Sequence, residues 1–236
     1  MKTGDTDFEN TEYIIRDSLD SFRSSFSFEF YIVNMRDIER RLDQKDSGLL
    51  SALSERELEH LEKLRLKKNK VQWAAGRYAV KSALFKYNLA DSCFVDVMKQ
   101  NDASPYILQY PELCVSITHS YPFCIGLVAE GRAGVDLERI TKQRASLIKH
   151  FYSRAERAAL DSFKDMEEYD EKAVLYWTRK EAASKLLRLG MNLDFRSIDA
   201  TDSFIKVNDI DIRFESAICG EFCVSVAFEE IRADCR

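Results

Sequence analysis

The chain has 236 residues, 45% of them apolar or aromatic and 32% charged, with a formal net charge of −5. That length supplies one large domain or two small ones with a buried core. The composition excludes wholesale disorder and a collagenous chain, and no apolar run approaches the ~18 residues of a membrane span.

The opening segment MKTGDTDFENTEYIIRDSLD is acidic and polar and lacks the apolar core of a signal peptide, so a cytoplasmic protein with no membrane partner is expected. Residues 1–25 read as a polar extension, either loose or a short flanking helix. Alternation and β-branched residues then predict a strand at FSFEFYIVN, helices at LSERELEHLEKLR and KVQWAAGRYAVKSALFKYNL, and strands at CFVDVMK, LCVSITH and FCIGLVAE. GRAGVDLERI reads as a further strand, SRAERAALDSF and YDEKAVLYWTRKEAASKLLRL as helices, and FIKVN, DIRFE and FCVSVAFEE as closing strands. Cys93, Cys114, Cys124, Cys219, Cys223 and Cys235 form no CxxC pair, and four lie in β-like runs, which points to buried free thiols.

The second half repeats the order of the first. WAAGRYAVK and WTRKEAASK both read Trp and then Lys eight positions on, with Trp73 and Trp177 separated by 104 positions, and FCIGLVAE echoes FCVSVAFE. The expected fold is therefore α+β, a pseudo-dimer of two similar subdomains at 26–133 and 134–236, each a small, mostly antiparallel sheet packed with helices. A ligand cleft is expected where the copies meet, and a monomer, because one chain supplies both halves.

In GVDLE, Asp136 and Glu138 stand at i and i+2 of a strand and share a face. Two such carboxylates repel unless one is protonated or a cation lies between them, and a hard divalent ion takes oxygen ligands of this kind. A solvated polar strand face is the alternative. On the following helix, Trp177, Glu181 and Lys185 form an i, i+4, i+8 stripe beside an apolar one of Leu175, Ala182, Leu186 and Leu189. Glu181 and Lys185 alone would be a surface ion pair; beside the strand carboxylates, Glu181 becomes a third ligand or a general base. Under the 104-residue offset, the first copy carries Arg77 where the second has Glu181, and Ile32 and Asn34 where it has Asp136 and Glu138. From Lys63 to Ala90 there are eight Lys and Arg and no acid, either a solvated basic face or a phosphate site. The patch is too local, in too acidic a chain, to favour nucleic acid. His119, between Thr118 and Ser120 at a strand end, reads as a structural histidine or a phosphate contact, and Glu156 in SRAER as a cap-region acid.

Together GRYAVKSAL, ITHS, GVDLE, FYSRAERAAL and WTRKEAASK resemble the 4′-phosphopantetheinyl transferase superfamily, in particular its long, Sfp-type enzymes, over about Lys70 to Gly190. The resemblance implies an Mg²⁺-dependent enzyme that moves the 4′-phosphopantetheine arm of coenzyme A to a serine of an apo carrier protein. It implies Asp136, Glu138 and Glu181 around the Mg²⁺, with Lys185 at the phosphate and leaving group and Lys180 nearby. Thr118 and His119 would meet the adenosine 3′-phosphate end, Arg77 and Lys81 would line a basic wall, and Glu181 or Glu156 would be the base. Ala103-Ser104-Pro105 stands where the family often has Gly-Lys-Pro, and Gln72 where an Arg is common, with Lys70 close by. A noncatalytic coenzyme A or carrier-protein binder on the same fold is the alternative, and a pyrophosphate-cleaving phosphodiesterase a third.

Overall fold

The computed structural model describes residues 3–87, 95–164, 166 and 168–230, with side chains from residue 8 onward. Cys93 and Cys235 lie outside the described residues. In chain order the elements are α1 (Thr3–Phe22), β1 (Phe28–Asn34), α2 (Met35–Asp43), α3 (Ser47–Ser51), α4 (Glu55–Lys63), α5 (Lys67–Lys86), β2 (Val97–Lys99), β3 (Pro105–Ile107), β4 (Cys114–Ser120), β5 (Phe123–Ala129) and β6 (Ala133–Arg139). They continue as α6 (Ala145–Phe151), α7 (Arg154–Asp161), α8 (Glu168–Leu187), β7 (Phe204–Val207), β8 (Ile210–Cys219) and β9 (Phe222–Glu229). No helix among the described residues is long and apolar enough to cross a membrane.

The chain divides into two compact units, an N-terminal one of Arg23–Gly131 and a C-terminal one that gathers Arg132–Arg236 with Met1–Phe22. The first 22 residues thus belong with the C-terminal unit. The physical reason is an apolar stripe inside the polar segment: Ile15, Leu19 and Phe22, at i, i+4 and i+7, are buried. The Ser18 hydroxyl also lies 3.5 Å from the Cys219 thiol on β8.

In the N-terminal unit three antiparallel strands run in the order β1-β5-β4, with β2 and β3 as a separate ribbon. Helix α5 packs against the sheet so closely that a Cβ on Gly126 of β5 would meet the Val80 nitrogen at 2.5 Å. In the C-terminal unit four antiparallel strands run β6-β9-β8-β7. There α8 presses on β6, and a Cβ on Gly134 would meet the Ala182 carbonyl oxygen at 2.1 Å. Both contacts need the bare backbone of glycine. Cys114, Cys124, Cys219 and Cys223 are buried and form no disulfide among the described residues, and burial pushes the Cys223 thiol up to about 12, so it stays a protonated packing group.

The units share one design, but their long helices align at a different offset from the one the tryptophans suggest. Ser54, Glu57, Lys81 and Lys86 correspond to Ser153, Glu156, Lys180 and Lys185, each pair 99 positions apart. In both units a Ser-x-x-Glu capping box opens a short helix. Its glutamate is buried and ion-paired to a lysine of the long helix, Glu57 to Lys81 at 2.6 Å and Glu156 to Lys180 at 2.5 Å. The register through β5 and β9 places β6 105 positions after β1, so Asp136 corresponds to Tyr31 and Glu138 to Val33. Trp177 then stands opposite Tyr78, and Glu181 opposite Ser82. The resemblance of the two tryptophan segments is one of letters. The buried lysine knots, which tolerate no slip, set the register.

Candidate functional site

Gly134, Asp136 and Glu138 alternate with Val135 and Leu137 on β6, and the glycine lets α8 lie directly over their face. Asp136 is 4% exposed. The Lys185 ammonium of α8 donates to Asp136 Oδ1 at 2.7 Å and to the Val135 carbonyl at 3.0 Å. Glu181 lies one turn before Lys185 and is half-buried. Burial first, and then the Asp136 charge, raises its carboxyl above the ordinary value, while Lys185 pulls the other way. Burial and the neighbouring Asp136 charge push Glu138 up to about 7, with Glu181 adding to the rise; Lys185 and a hydrogen bond from Trp177 oppose it. The stripe Trp177–Glu181–Lys185 therefore does face the strand carboxylates, as its spacing predicts.

Glu138 and Glu181, both with proton affinity raised beside the Asp136 charge, form with it a carboxylate group chemically suited to a hard divalent cation, because such an ion removes the repulsion. The fit is one of donor chemistry. Among the described residues no three His, Cys, Asp or Glu side chains are gathered closely enough to hold an ion, and the charge set against Asp136 is the Lys185 ammonium.

Several expected site residues have other work. Glu156 is fully buried; its carboxylate accepts from the backbone N–H of Ser153 at 2.7 Å and of Ala200 at 2.8 Å, besides the ion pair with Lys180. It is a structural anchor, and no substrate hydroxyl reaches it as a base. Lys180 is likewise 0% exposed and donates to the carbonyls of Phe151 and Phe195, which corrects the expectation that it touches phosphate. Lys81 is corrected for the same reason, being 2% exposed and committed to Glu57 and the Ala52 carbonyl.

The N-terminal unit holds a cavity of about 620 Å³, lined among others by Arg77, His119, Gln72, Ala103 and Pro105. Arg77 lies under Trp73, its guanidinium carbon 3.3 Å from the ring centroid. His119 faces this space, whereas Thr118, the next residue on β4, is buried and absent from the lining; strand alternation separates the two. Lys70 is not in the lining either, but His60 and Lys99 are. Sequence reasoning missed both. His60 sits one turn after the capping glutamate of α4, a spacing that turns it toward α5, and that signal was available. Nothing local marked Lys99, the last residue of a three-residue strand.

Residues 132–230, which carry the carboxylates and α8, match the ACPS family, described as the 4′-phosphopantetheinyl transferase superfamily. That stretch of the chain is similar to the superfamily. Among curated relatives, a Bacillus subtilis 4′-phosphopantetheinyl transferase is 22% identical over 209 residues, spanning 79% of this chain and 93% of the relative. A second from the same organism, 4′-phosphopantetheinyl transferase ffp, is 23% identical over 199 residues, spanning 77% and 88%. Solved structures of similar chains include a holo-(acyl-carrier-protein) synthase from Bacillus anthracis in complex with CoA (3′,5′-ADP), at 23% identity and TM-score 0.38 over 43% of this chain and 91% of that one. The Helicobacter pylori holo-[acyl-carrier-protein] synthase in complex with coenzyme A stands at 24% and 0.36, over 43% and 97%. The acidic strand and helix motifs lie inside the matched stretch, and the basic cavity lies outside it.

Proposed function

We propose that this chain transfers the 4′-phosphopantetheine arm of coenzyme A to a serine of an apo carrier protein, leaving adenosine 3′,5′-bisphosphate. The observation that carries the reading is the convergence of Asp136, Glu138, Glu181 and Lys185 within the superfamily-matched stretch. The names of the two Bacillus subtilis relatives support it.

Asp136, Glu138 and Glu181 would hold Mg²⁺, which when bound offsets charge on a pyrophosphate and polarises the phosphorus under attack. Glu181, directly or through a water, takes the serine proton as the oxygen–phosphorus bond forms. The bond broken is the one from the pantetheine-bearing phosphorus to the bridging oxygen, which departs with adenosine 3′,5′-bisphosphate. Lys185 presents a point charge to the departing phosphate, and Asp136 fixes its ammonium in place. In the N-terminal unit, Arg77 and His119 line a cavity whose cationic and hydrogen-bonding groups suit a phosphate. Carrier proteins that present an acidic surface suit local basic docking rather than attraction by the whole acidic chain.

Mass spectrometry of an apo carrier protein incubated with this chain, coenzyme A and Mg²⁺, with EDTA as control, tests the reading. A metal-dependent gain of one phosphopantetheine arm on the carrier serine is expected. Coenzyme A binding with no gain across several carriers would leave a noncatalytic binder instead.

A further inference from the structure

Three consecutive residues of α8, Thr178, Arg179 and Lys180, are each hydrogen-bonded to a different neighbour. Lys180 belongs to the knot with Glu156. Arg179 donates to the carbonyls of Ala200 at 2.9 Å, Thr201 at 3.4 Å and Asp202 at 3.2 Å, and from its Nε to the Ser216 hydroxyl of β8 at 3.1 Å. Ser216 Oγ lies 2.9 Å from Ser225 Oγ of β9, and Ser225 Oγ lies 2.8 Å from Thr178 Oγ1. The Thr178 hydroxyl in turn donates to the Leu175 carbonyl at 3.0 Å. The ends fix the direction of this chain. A guanidinium only donates and a carbonyl only accepts, so each hydroxyl between them takes one hydrogen bond from the Arg179 side and gives its own toward Leu175. Every hydroxyl is satisfied, and Thr178 and Ser225 are fully buried. A satisfied buried network of this kind is rigid and specific in its angles.

The N-terminal unit builds the same helix-on-sheet contact without it. At the 99-position offset, Thr178, Arg179, Ser216 and Ser225 correspond to Ala79, Val80, Ile117 and Gly126. Apolar packing alone therefore holds a long helix on such a sheet. Buried hydroxyls, costly unless every bond is made, stand at these positions only in the unit with the carboxylates. On β9, Ser225 and Cys223 are the ladder partners of Asp136 and Glu138 and share their sheet face, and the Cys223 thiol lies 3.4 Å from Thr178 Oγ1. Successive helix residues point about 100° apart. Thr178, Arg179 and Lys180 thus hold α8 on three sides and leave the fourth to Glu181, while Lys185, two turns on, returns to the side of Thr178.

We propose that Thr178, Ser225, Ser216 and Arg179 are positioning residues, whose one-way hydrogen-bond chain fixes the rotation of α8 about its axis and so aims Glu181 and Lys185 at Asp136 and Glu138. That this aim serves phosphoryl transfer rests on the transferase reading. The four act through the helix rather than on the reacting atoms, and a displacement of ~1 Å there is enough to slow a reaction about a hundredfold.

Transfer kinetics and Mn²⁺ titration followed by electron paramagnetic resonance, both on the full chain and beside thermal unfolding, test this. Thr178→Val keeps the shape and loses the hydroxyl, and Ser225→Ala breaks the chain at its centre. Both are expected to lower kcat by about tenfold to a hundredfold, with KM for coenzyme A within about twofold of wild type, and to weaken Mn²⁺ binding several-fold. Thr178→Ser, which keeps the hydroxyl, should retain most of kcat. Ser184→Ala is the control. It removes another buried hydroxyl of α8, one that donates to the Gly190 carbonyl at 2.7 Å, and should lower the unfolding temperature without lowering kcat. An equal loss of kcat in Ser184→Ala and Ser225→Ala at an equal loss of stability overturns the proposal, reducing the chain to ordinary core packing. Wild-type kcat and Mn²⁺ affinity in both Thr178→Val and Ser225→Ala overturn it as well; in either case a wild-type chain that transfers leaves the transferase reading standing. A wild-type chain that binds Mn²⁺ but modifies no carrier overturns the transferase reading, and weaker Mn²⁺ binding by Thr178→Val and Ser225→Ala then supports the positioning chain by itself. A wild-type chain that does neither overturns both.

Discussion

Lys86 and Lys185 occupy the same step of the two long helices, and each donates to a carbonyl of the adjacent strand, that of Phe30 or of Val135, at 3.0 Å. In the C-terminal unit the next strand residue is Asp136, which takes the ammonium in an ion pair. In the N-terminal unit the next residue is Tyr31, and Lys86 rests instead over the rings of Phe30 and Tyr31, at 5.0 and 5.9 Å from their centroids. The backbone scaffold is shared and the chemistry is not. Lys86 stands against an aromatic pair, whereas Lys185 stands among carboxylates. The N-terminal unit contributes charge elsewhere, in the cavity beside Arg77. The two units thus share what holds a helix on a sheet and differ in what surrounds the lysine.

The comparison breaks most sharply at Asp136. Asp136→Ala should lower metal-dependent transfer by about a thousandfold, the scale of lost metal-assisted charge stabilisation, while thermal unfolding shows a folded chain. Turnover with an unchanged Mg²⁺ dependence would remove Asp136 from the ligand set. The shared scaffold is tested next by Glu57→Gln and Glu156→Gln, each of which leaves a buried lysine ammonium without its counter-charge. Both should lose about 3–5 kcal/mol in denaturant unfolding, and unequal losses would show that the two knots are not equivalent. Glu156→Gln, if it retained full stability but lost turnover, would return that residue to the role of a base.

Gly134→Ala sharpens the contrast through packing. The added methyl meets the Ala182 carbonyl, so α8 must shift, at about 1–3 kcal/mol, and turnover should fall with it because Glu181 and Lys185 ride on that helix. Gly126→Ala should cost a similar amount of stability without touching the carboxylates. The smallest effect is expected for Lys86→Ala, under about 1 kcal/mol for an exposed cation over aromatic rings, with transfer unchanged. A large loss of transfer there would mean that the aromatic copy of the contact also serves the reaction.

Much of this was legible beforehand because it depends on local periodicity. GVDLE on a strand and Trp177, Glu181 and Lys185 at helical spacing put the acidic groups on facing surfaces, and the structure brings them together as that spacing requires. The same reasoning could not separate Lys81 and Lys180 from the solvent-facing cations near them. On a helix wheel they look equally able to reach a ligand, and burial is a property of what packs above them. Nor could it find the amphipathic stripe that ties α1 to the C-terminal unit, since three apolar residues in a polar segment acquire meaning only when a surface is there to cover them.

The sequence by itself determined the long helices, the main strands and the placing of Asp136 and Glu138 on one strand face and Glu181 and Lys185 on one helix stripe, because these follow from the 2.0 and 3.6 residue periods of strand and helix; α2, α3, β3 and α6 were not foreseen. Only the tertiary structure decided the register between the copies, the structural fate of Glu156, Lys180 and Lys81, and the gathering of His60, Arg77 and Lys99 around one cavity. Those outcomes depend on contacts between residues far apart in the chain. There, the cost of burying a charge without a partner selects which cation is locked into the core and which is left facing an open space.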